Sequence, residues 1–276
     1  MEKHPFEIYR KPEFRTSSLV VGWSEDVGKL GPKVIDYLNK KLGGEEFGEI
    51  EPADFFPSAG VAIEDDVAQF PESKFYCCQD KKLVIFKSSP PRAEWHKFLN
   101  LVLDVAQHYC HAKELYTIGG MVALSAHTVP RELWAIANSP KMKKLLSRYD
   151  LARDMDYETP PGQRPTLSSF LLWMAKGRNI PGASLWVPVP FYLVSTEDPK
   201  AWREAVQFFD RRFGLGIDFT DLDAEVTRQN EKIAELRNWF PELDDYVRRL
   251  ESNLSLTEEE HEKLMKEVEE FLKKRD

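Results

Sequence analysis

Two stretches of this sequence carry side chains that could do chemistry. The first is Gly22-Trp23-Ser24-Glu25-Asp26-Val27-Gly28, which follows the apolar run Leu19-Val20-Val21 and leads into a helical pattern. In an open α/β sheet, ligands bind at the carboxyl ends of strands, beside loops of this kind. Glycines there let a backbone come close to a ligand. Glu25 and Asp26 argue against a phosphate, because two carboxylates would repel it. They suit a sugar hydroxyl or a base edge instead. The plainer reading is a turn followed by a helix N-terminus, where acidic residues are favoured.

The second stretch begins at Gly119-Gly120, which ends a later strand. His127 follows in Ser125-Ala126-His127-Thr128-Val129-Pro130. An imidazole on such a loop titrates near neutrality and can act as general acid or base. The alternative is a histidine hydrogen-bonded to backbone. No nucleophile is paired with it by sequence. With Tyr157, in the loop Tyr157-Glu158-Thr159-Pro160-Pro161-Gly162, the candidate ligand pocket comprises Gly22, Glu25, Asp26, Gly28, Gly119, Gly120, His127 and Tyr157. No residue is assigned a catalytic role.

Other signatures are missing. There is no GxxxxGK[ST], GxGxxG or GxSxG. His261-Glu262 is not followed by a histidine at metal-binding spacing, and Cys77-Cys78 is not a CxxC pair. His108, Cys110 and His111 are near one another, but residues two apart on a helix point to different faces, and no second ligand cluster accompanies them. No metal and no cofactor is expected, and Cys110 reads as a core residue.

The elements that must position these residues follow from the apolar pattern. Leu19–Trp23, Leu83-Val84-Ile85-Phe86 and Leu115-Tyr116-Thr117-Ile118 are near-continuous apolar runs, as expected of central strands covered on both faces. Lys74–Cys78 and Leu83–Phe86 flank the turn 79–82 and suit a hairpin. Gly60–Ile63, Leu133–Ile136 and Ser184–Val187 read as further strands, the last stopped by Pro188 and Pro190. Leu30, Val34, Leu38 and Leu42 mark a helix ended by Gly43-Gly44, and Trp95, Phe98, Leu99, Val102 and Ala106 mark a long one. A short helix ending near Tyr149 and a helix over Thr166–Arg178 come next. Asp198-Pro199 opens another as N-cap and first-turn proline, and Gly214 closes it. Strands alternating with helices of this size make βαβ units.

After Asp218 the strand signals vanish. Leu222, Val226, Ile233 and Leu236 mark one helix, Pro241–Leu250 a second, and Thr257-x-x-Glu260 is a capping box for a third. The 276 residues carry a net charge of −8, and residues 218–276 hold 18 acidic and 10 basic side chains, so the whole excess lies in this tail. The expected division is an α/β domain over 1–217 and a mostly exposed acidic helical extension over 218–276. That extension is expected to be dispensable for folding of the body and to contribute to oligomer or partner contacts. The lack of a basic face with stacking aromatics excludes nucleic acid as a partner. No apolar run reaches the roughly 18 residues needed to span a membrane, and the N-terminus has no signal-peptide pattern. Three cysteines, two of them adjacent, make no disulfide framework, which points to a reducing cytoplasm.

Five motifs, in order, resemble the PAC2 family, named after a proteasome assembly chaperone. They are Gly22-Trp23-x-x-Asp26-x-Gly28; Leu83–Phe86 with Pro90-Pro91 and Trp95; His127-Thr128-x-Pro130; Ile180-Pro181-Gly182-Ala183-Ser184-Leu185-Trp186-Val187-Pro188-Val189-Pro190-Phe191-Tyr192; and Tyr246–Glu251. The resemblance spans about residues 15–252. It implies a three-layer α/β/α domain like that of nucleoside phosphorylases, with a C-terminal helical extension, and a homo-oligomer, expected to be a trimer. It also implies an assembly-chaperone or scaffold role without catalysis. Some relatives end in a hydrophobic–Tyr–any tripeptide that docks on the proteasome, where this sequence reads Lys274-Arg275-Asp276. Phe191 stands where relatives often have histidine, and Thr159 where they often have glycine in Tyr-x-Gly-Pro. The competing expectation is a small-molecule binder or enzyme using a phosphorylase-like pocket, with Asp26 or Glu25 on a sugar or base and His127 handling a proton.

Overall fold

An apolar strand with no polar face must be covered on both sides, and the three such strands in this chain lie side by side in one sheet. The computed structural model describes residues 5–52, 54–56, 62–64 and 66–274. The strands are β1 (Phe6–Ile8), β2 (Ser17–Trp23), β3 (Glu45–Ile50), β4 (Ala62–Glu64), β5 (Val67–Gln69), β6 (Ser73–Cys78), β7 (Leu83–Ser88), β8 (Ala112–Ala123), β9 (Trp134–Ala137) and β10 (Gly182–Pro190). The helices are α1 (Leu30–Leu42), α2 (Trp95–Asp104), α3 (Pro140–Leu146), α4 (Leu167–Gly177), α5 (Pro199–Phe213), α6 (Thr220–Trp239), α7 (Pro241–Glu251) and α8 (Glu258–Lys273). Eight strands form a mixed sheet in the order β1-β3-β6-β7-β2-β8-β10-β9, and β4 pairs with β5 separately. The fold is α/β, with C-terminal helices, and the expected central trio β7-β2-β8 is central.

By packing, the described chain falls into two units. The first takes the chain up to Glu25, Ile35–Ile118 and Trp134–Leu185; the second takes Asp26–Val34, Gly119–Leu133 and the chain from Trp186 onward. In the first, β2 runs parallel to β7 and to β8. Leu19, Val21 and Trp23 share a core with Val84 and Phe86 and with Phe98, Leu99 and Val102 of α2 and Leu171 and Ala175 of α4. Val20 and Ile85 point to the opposite face and are just as inaccessible, so both faces are covered. The Trp23 indole N–H donates to Ser168 Oγ at 3.0 Å, which satisfies a polar group inside this core. The expected hairpin is present: β6 and β7 pair antiparallel, turning through 79–81, with Lys82 in the left-handed region at φ 53°.

Several boundaries differ from the sequence expectation. β10 does not stop at Pro188 but runs through Pro190. Prolines two residues apart lack their N–H on the same edge of a strand, so the ladder on the other edge is untouched. The strand expected at 133–136 is β9, at an end of the sheet. Of the strand expected at 60–63, Gly60 and Val61 lie outside the described residues. β1 and β3 were not expected at all.

In the second unit, α5 begins as expected. Asp198 accepts from the backbone N–H of Ala201 at 3.2 Å, and Gly214 ends the helix at φ 62°. The capping box of Thr257 and Glu260 is formed at the start of α8. The apolar stripes of the tail are buried: Leu222, Ile233 and Leu236 in α6, Leu243, Val247 and Leu250 in α7, and Leu264, Val268 and Leu272 in α8. The Phe191 ring lies 4.5 Å from His261 of α8. Residues 218–276 thus pack in the same unit as 186–217. No helix among the described residues is long and apolar enough to cross a membrane.

Truncation after Gly216 removes α6, α7 and α8 and with them the cover of Phe191-Tyr192-Leu193. The shortened chain is expected to unfold at lower temperature and lower urea than the full chain. An unchanged thermal midpoint would show the tail to be an independent appendage.

Candidate functional site

The loop after β2 divides between the two units at 25/26. In the first unit, Gly22 is buried in β2, in register with Lys87 of β7 and Ile118 of β8. The Glu25 carboxylate accepts from Arg92 at 2.6 Å, with both side chains more than half exposed. Such a surface pair contributes at most about 1 kcal/mol. Tyr157 lies exposed in the irregular segment between α3 and α4.

In the second unit, Asp26 is the organising residue. Its Oδ2 accepts from the backbone N–H of Gly31 at 2.7 Å, and both carboxylate oxygens lie within 3.1 Å of the Gly120 N–H. One carboxylate therefore satisfies a donor in the first turn of α1 and a donor on β8. Gly119 and Gly120 of the candidate pocket are explained by this approach. A Cβ on Gly120 would lie 2.4 Å from the Val27 carbonyl oxygen, and one on Gly119 would lie 3.2 Å from Asp26 Oδ1. Gly28 adopts φ 62°, and a Cβ there would crowd Val189 at 3.1 Å. What comes close to these backbones is the 26–28 loop itself. Burial outweighs the backbone donors and raises the Asp26 pKa to about 6.

His127 has a different set of partners. It is buried, and Tyr192 Oη accepts from its backbone N–H at 2.5 Å while lying 2.8 Å from Nδ1. The phenolic oxygen accepts from the backbone and shares a second hydrogen bond with Nδ1, whose direction is set by the imidazole tautomer. Burial, then the charges of Arg237, Arg131 and Lys200, lower its pKa to about 3. It is neutral at physiological pH, and the near-neutral titration expected of it is absent. Lys200 Nζ donates to the carbonyls of His127 and Thr128, each at 3.0 Å, and fixes the loop from outside.

Sequence reasoning missed the group beneath this loop. Arg131 Nε donates to Asp198 Oδ2 at 2.9 Å, with both side chains almost completely buried. Arg131 Nη1 donates to the Val129 carbonyl at 2.6 Å, and Asp198 Oδ1 caps α5. Thr128 and Arg237 both donate to Glu251, linking the loop to α6 and α7. Asp198 was legible as an N-cap, but no local signal pairs it with an arginine 67 positions away.

Asp26, Gly119 and Gly120 are thus brought together, while His127 is bonded to Tyr192, Glu25 to Arg92, and Tyr157 faces solvent. No group of three or more His, Cys, Asp or Glu side chains among the described residues could hold a metal. Burial pushes the Cys78 and Cys110 thiols up to about 12, which keeps them protonated and weakly nucleophilic.

Asp26 carries a pH signature. Because its pKa rises from 3.8 to about 6 on folding, the folded state holds the extra proton between these values, and stability falls as pH rises through that window. The full shift corresponds to about 3 kcal/mol. Urea unfolding between pH 4 and pH 7 should show this decline in the native chain and lose it in Asp26→Asn. Parallel profiles would refute the assignment. Tyr192→Phe leaves the His127 N–H and Nδ1 without their partner. It should cost about 1–3 kcal/mol in the same measurement.

With this geometry in view, the relatives can be compared. A PAC2 family model matches residues 19–237. No curated protein sequence matches the chain. Among solved structures, the fold is similar to that of an archaeal proteasome activator from Pyrococcus furiosus, with TM-score 0.68 and 19% identity over 84% of this chain and 98% of that one. A proteasome-assembly chaperone homologue from Mycobacterium tuberculosis gives TM-score 0.68 and 19% identity over 83% and 99%. A protein of unknown function from Corynebacterium glutamicum gives TM-score 0.75 and 18% identity over 90% and 96%. At these identities the likeness concerns the fold.

Proposed function

The chain belongs to the PAC2 family, and from that premise we propose that it is an assembly-chaperone-like or scaffold protein that acts through protein–protein contacts rather than catalysis. The observation that carries this reading is the engagement of its polar loop residues. Asp26 is spent on two backbone donors, and His127 is neutral and tied to Tyr192. The Tyr192 hydroxyl beside His127 is buried, and burial raises its pKa and keeps it protonated. The structures named above support the same reading, since two of them are a proteasome activator and a proteasome-assembly chaperone homologue.

The working form in this proposal is a homo-oligomer, a trimer by the family resemblance, located in the cytoplasm. Free thiols at Cys77, Cys78 and Cys110 support a reducing compartment. A protein that works by docking also needs apolar surface, and Trp173, Trp239, Phe240 and Leu254 are well exposed.

The experiment combines light scattering with affinity purification of the full chain from native lysate. A defined oligomer with a stoichiometric protein partner is the expected result. A monomer at micromolar concentration with no stoichiometric partner, together with a thermal shift from a nucleoside or other metabolite that Asp26→Asn abolishes, would replace this reading with the small-molecule one.

A further inference from the structure

A cavity of about 210 Å³ lies wholly within the second unit. Its wall is built from Lys29 before α1, residues 195–199 leading into α5, Trp202, and side chains of α6 and α8. Four cations line it: Lys29, Arg228, Lys232 and Lys273. Three of these come from the tail that carries the chain's whole negative excess. Such a concentration runs against the surrounding charge and sets up a locally positive recess.

Two acids also line the recess, and their state decides what it can bind. Glu197 is neutralised by Lys33 at 2.7 Å. Lys273 is engaged by Glu269. Lys29 and Arg228 make no ion pair among the described residues. Glu225 stays at the wall as an opposing charge, which suits a singly or doubly charged group and disfavours a polyanion. The volume falls below the roughly 300 Å³ at which sites for drug-sized ligands begin. It accommodates an oxyanion and few further atoms.

The wall is held in place before any ligand arrives. Asp198, between the wall residues Glu197 and Pro199, is anchored by the buried Arg131. Gln229 Nε2 donates to the Glu197 carbonyl at 2.5 Å and ties α6 to the same segment. Lys29 sits in the left-handed region at φ 52°, directly after Gly28 at φ 62°, where few non-glycine residues are found. Bonds from Gly28 N–H to the Val194 carbonyl and from Lys29 N–H to the Asp26 carbonyl hold that turn.

We propose that this cavity binds a small oxyanion, either free phosphate or the phosphate of a monoester, with Lys29 and Arg228 as its principal charge partners and Lys232 beside them. This inference is independent of the scaffold reading, since a scaffold can carry a ligand that stabilises it.

The test is calorimetric titration of the full chain with inorganic phosphate, and separately with glycerol phosphate, at constant ionic strength against a chloride blank. Saturable binding is expected, and the tighter of the two probes identifies the source. The double variant Lys29→Gln/Arg228→Gln should weaken it by about tenfold or more, because charge-assisted hydrogen bonds are lost. Arg248→Gln removes an exposed charge of α7 that pairs with Asp244, and should leave binding unchanged. Absence of saturable binding by either probe up to about 10 mM, the weak end of specific affinity, would overturn the proposal. So would full retention in the double variant, or an equal loss in Arg248→Gln.

Discussion

A charge buried without a partner is among the costliest defects a fold can contain, so the Arg131–Asp198 pair constrains everything near it. Removing either member would leave the other enclosed without its partner. The pair therefore dictates two positions at once. Asp198 must stand where α5 begins, because its second oxygen caps that helix. Arg131 must keep the 126–131 loop folded back, because its Nη1 closes on the Val129 carbonyl. His127 is carried on that loop, and the 195–199 segment that walls the cationic cavity is carried on the other side. The loop looks like a site by sequence because it is polar and glycine-led. Its carbonyls serve the Arg131 Nη1 group of a buried pair, while Nη2 is buried without a partner among the described residues.

Asp26 shows the same economy with a different balance. Its carboxylate accepts from two backbone groups, an arrangement that by itself would lower its pKa. Burial reverses the sign. The residue holds the start of α1 to β8 and loses some of that advantage once ionised. A ligand-binding acid at this position would need a free lone pair facing an opening. Here the neighbouring glycines are consumed by the close approach of the 26–28 loop, most clearly Gly120 against the Val27 carbonyl. The same glycines that suggest room for a ligand are required for the protein to pack against itself.

How much of this was legible depends on the range of the interaction. β2, β7 and β8 announce themselves because strands covered on both faces have no polar alternation to lose. The cap of α5, the capping box of α8 and the glycine after α5 are local chemistry and were read correctly. β3 was not, since Glu45-Glu46-Phe47-Gly48-Glu49-Ile50 buries only part of its length and its Gly48 answers to β1, where a Cβ would meet the Glu7 carbonyl oxygen at 2.6 Å. β10 outruns the end that its prolines predict, because each proline breaks the ladder on one edge only. The roles of Asp26 and His127 were beyond local reading for a further reason. Their pKa directions come from burial, to which Arg237, Arg131 and Lys200 add for His127, and their hydrogen-bond partners Gly120 and Tyr192 lie 94 and 65 positions away.

The charge of the tail looks different once its partners are known. Arg237 bridges Asp244 and Glu251, Arg249 reaches Glu260, and Lys263 pairs with Glu242, so four of the 18 acids are matched by cations of a neighbouring helix. Only Lys263–Glu242 is well exposed, and such a pair adds little stability; the part-buried pairs also fix which helix faces which, because a wrong register would oppose like charges. The unmatched acids are left on the outer surface, where they repel other acidic surfaces. Against that background the cations facing one recess stand out, since three of them lie in a tail whose net charge is negative. The acidic tail is thus a layer of helices joined to one another by ion pairs and by their buried apolar stripes.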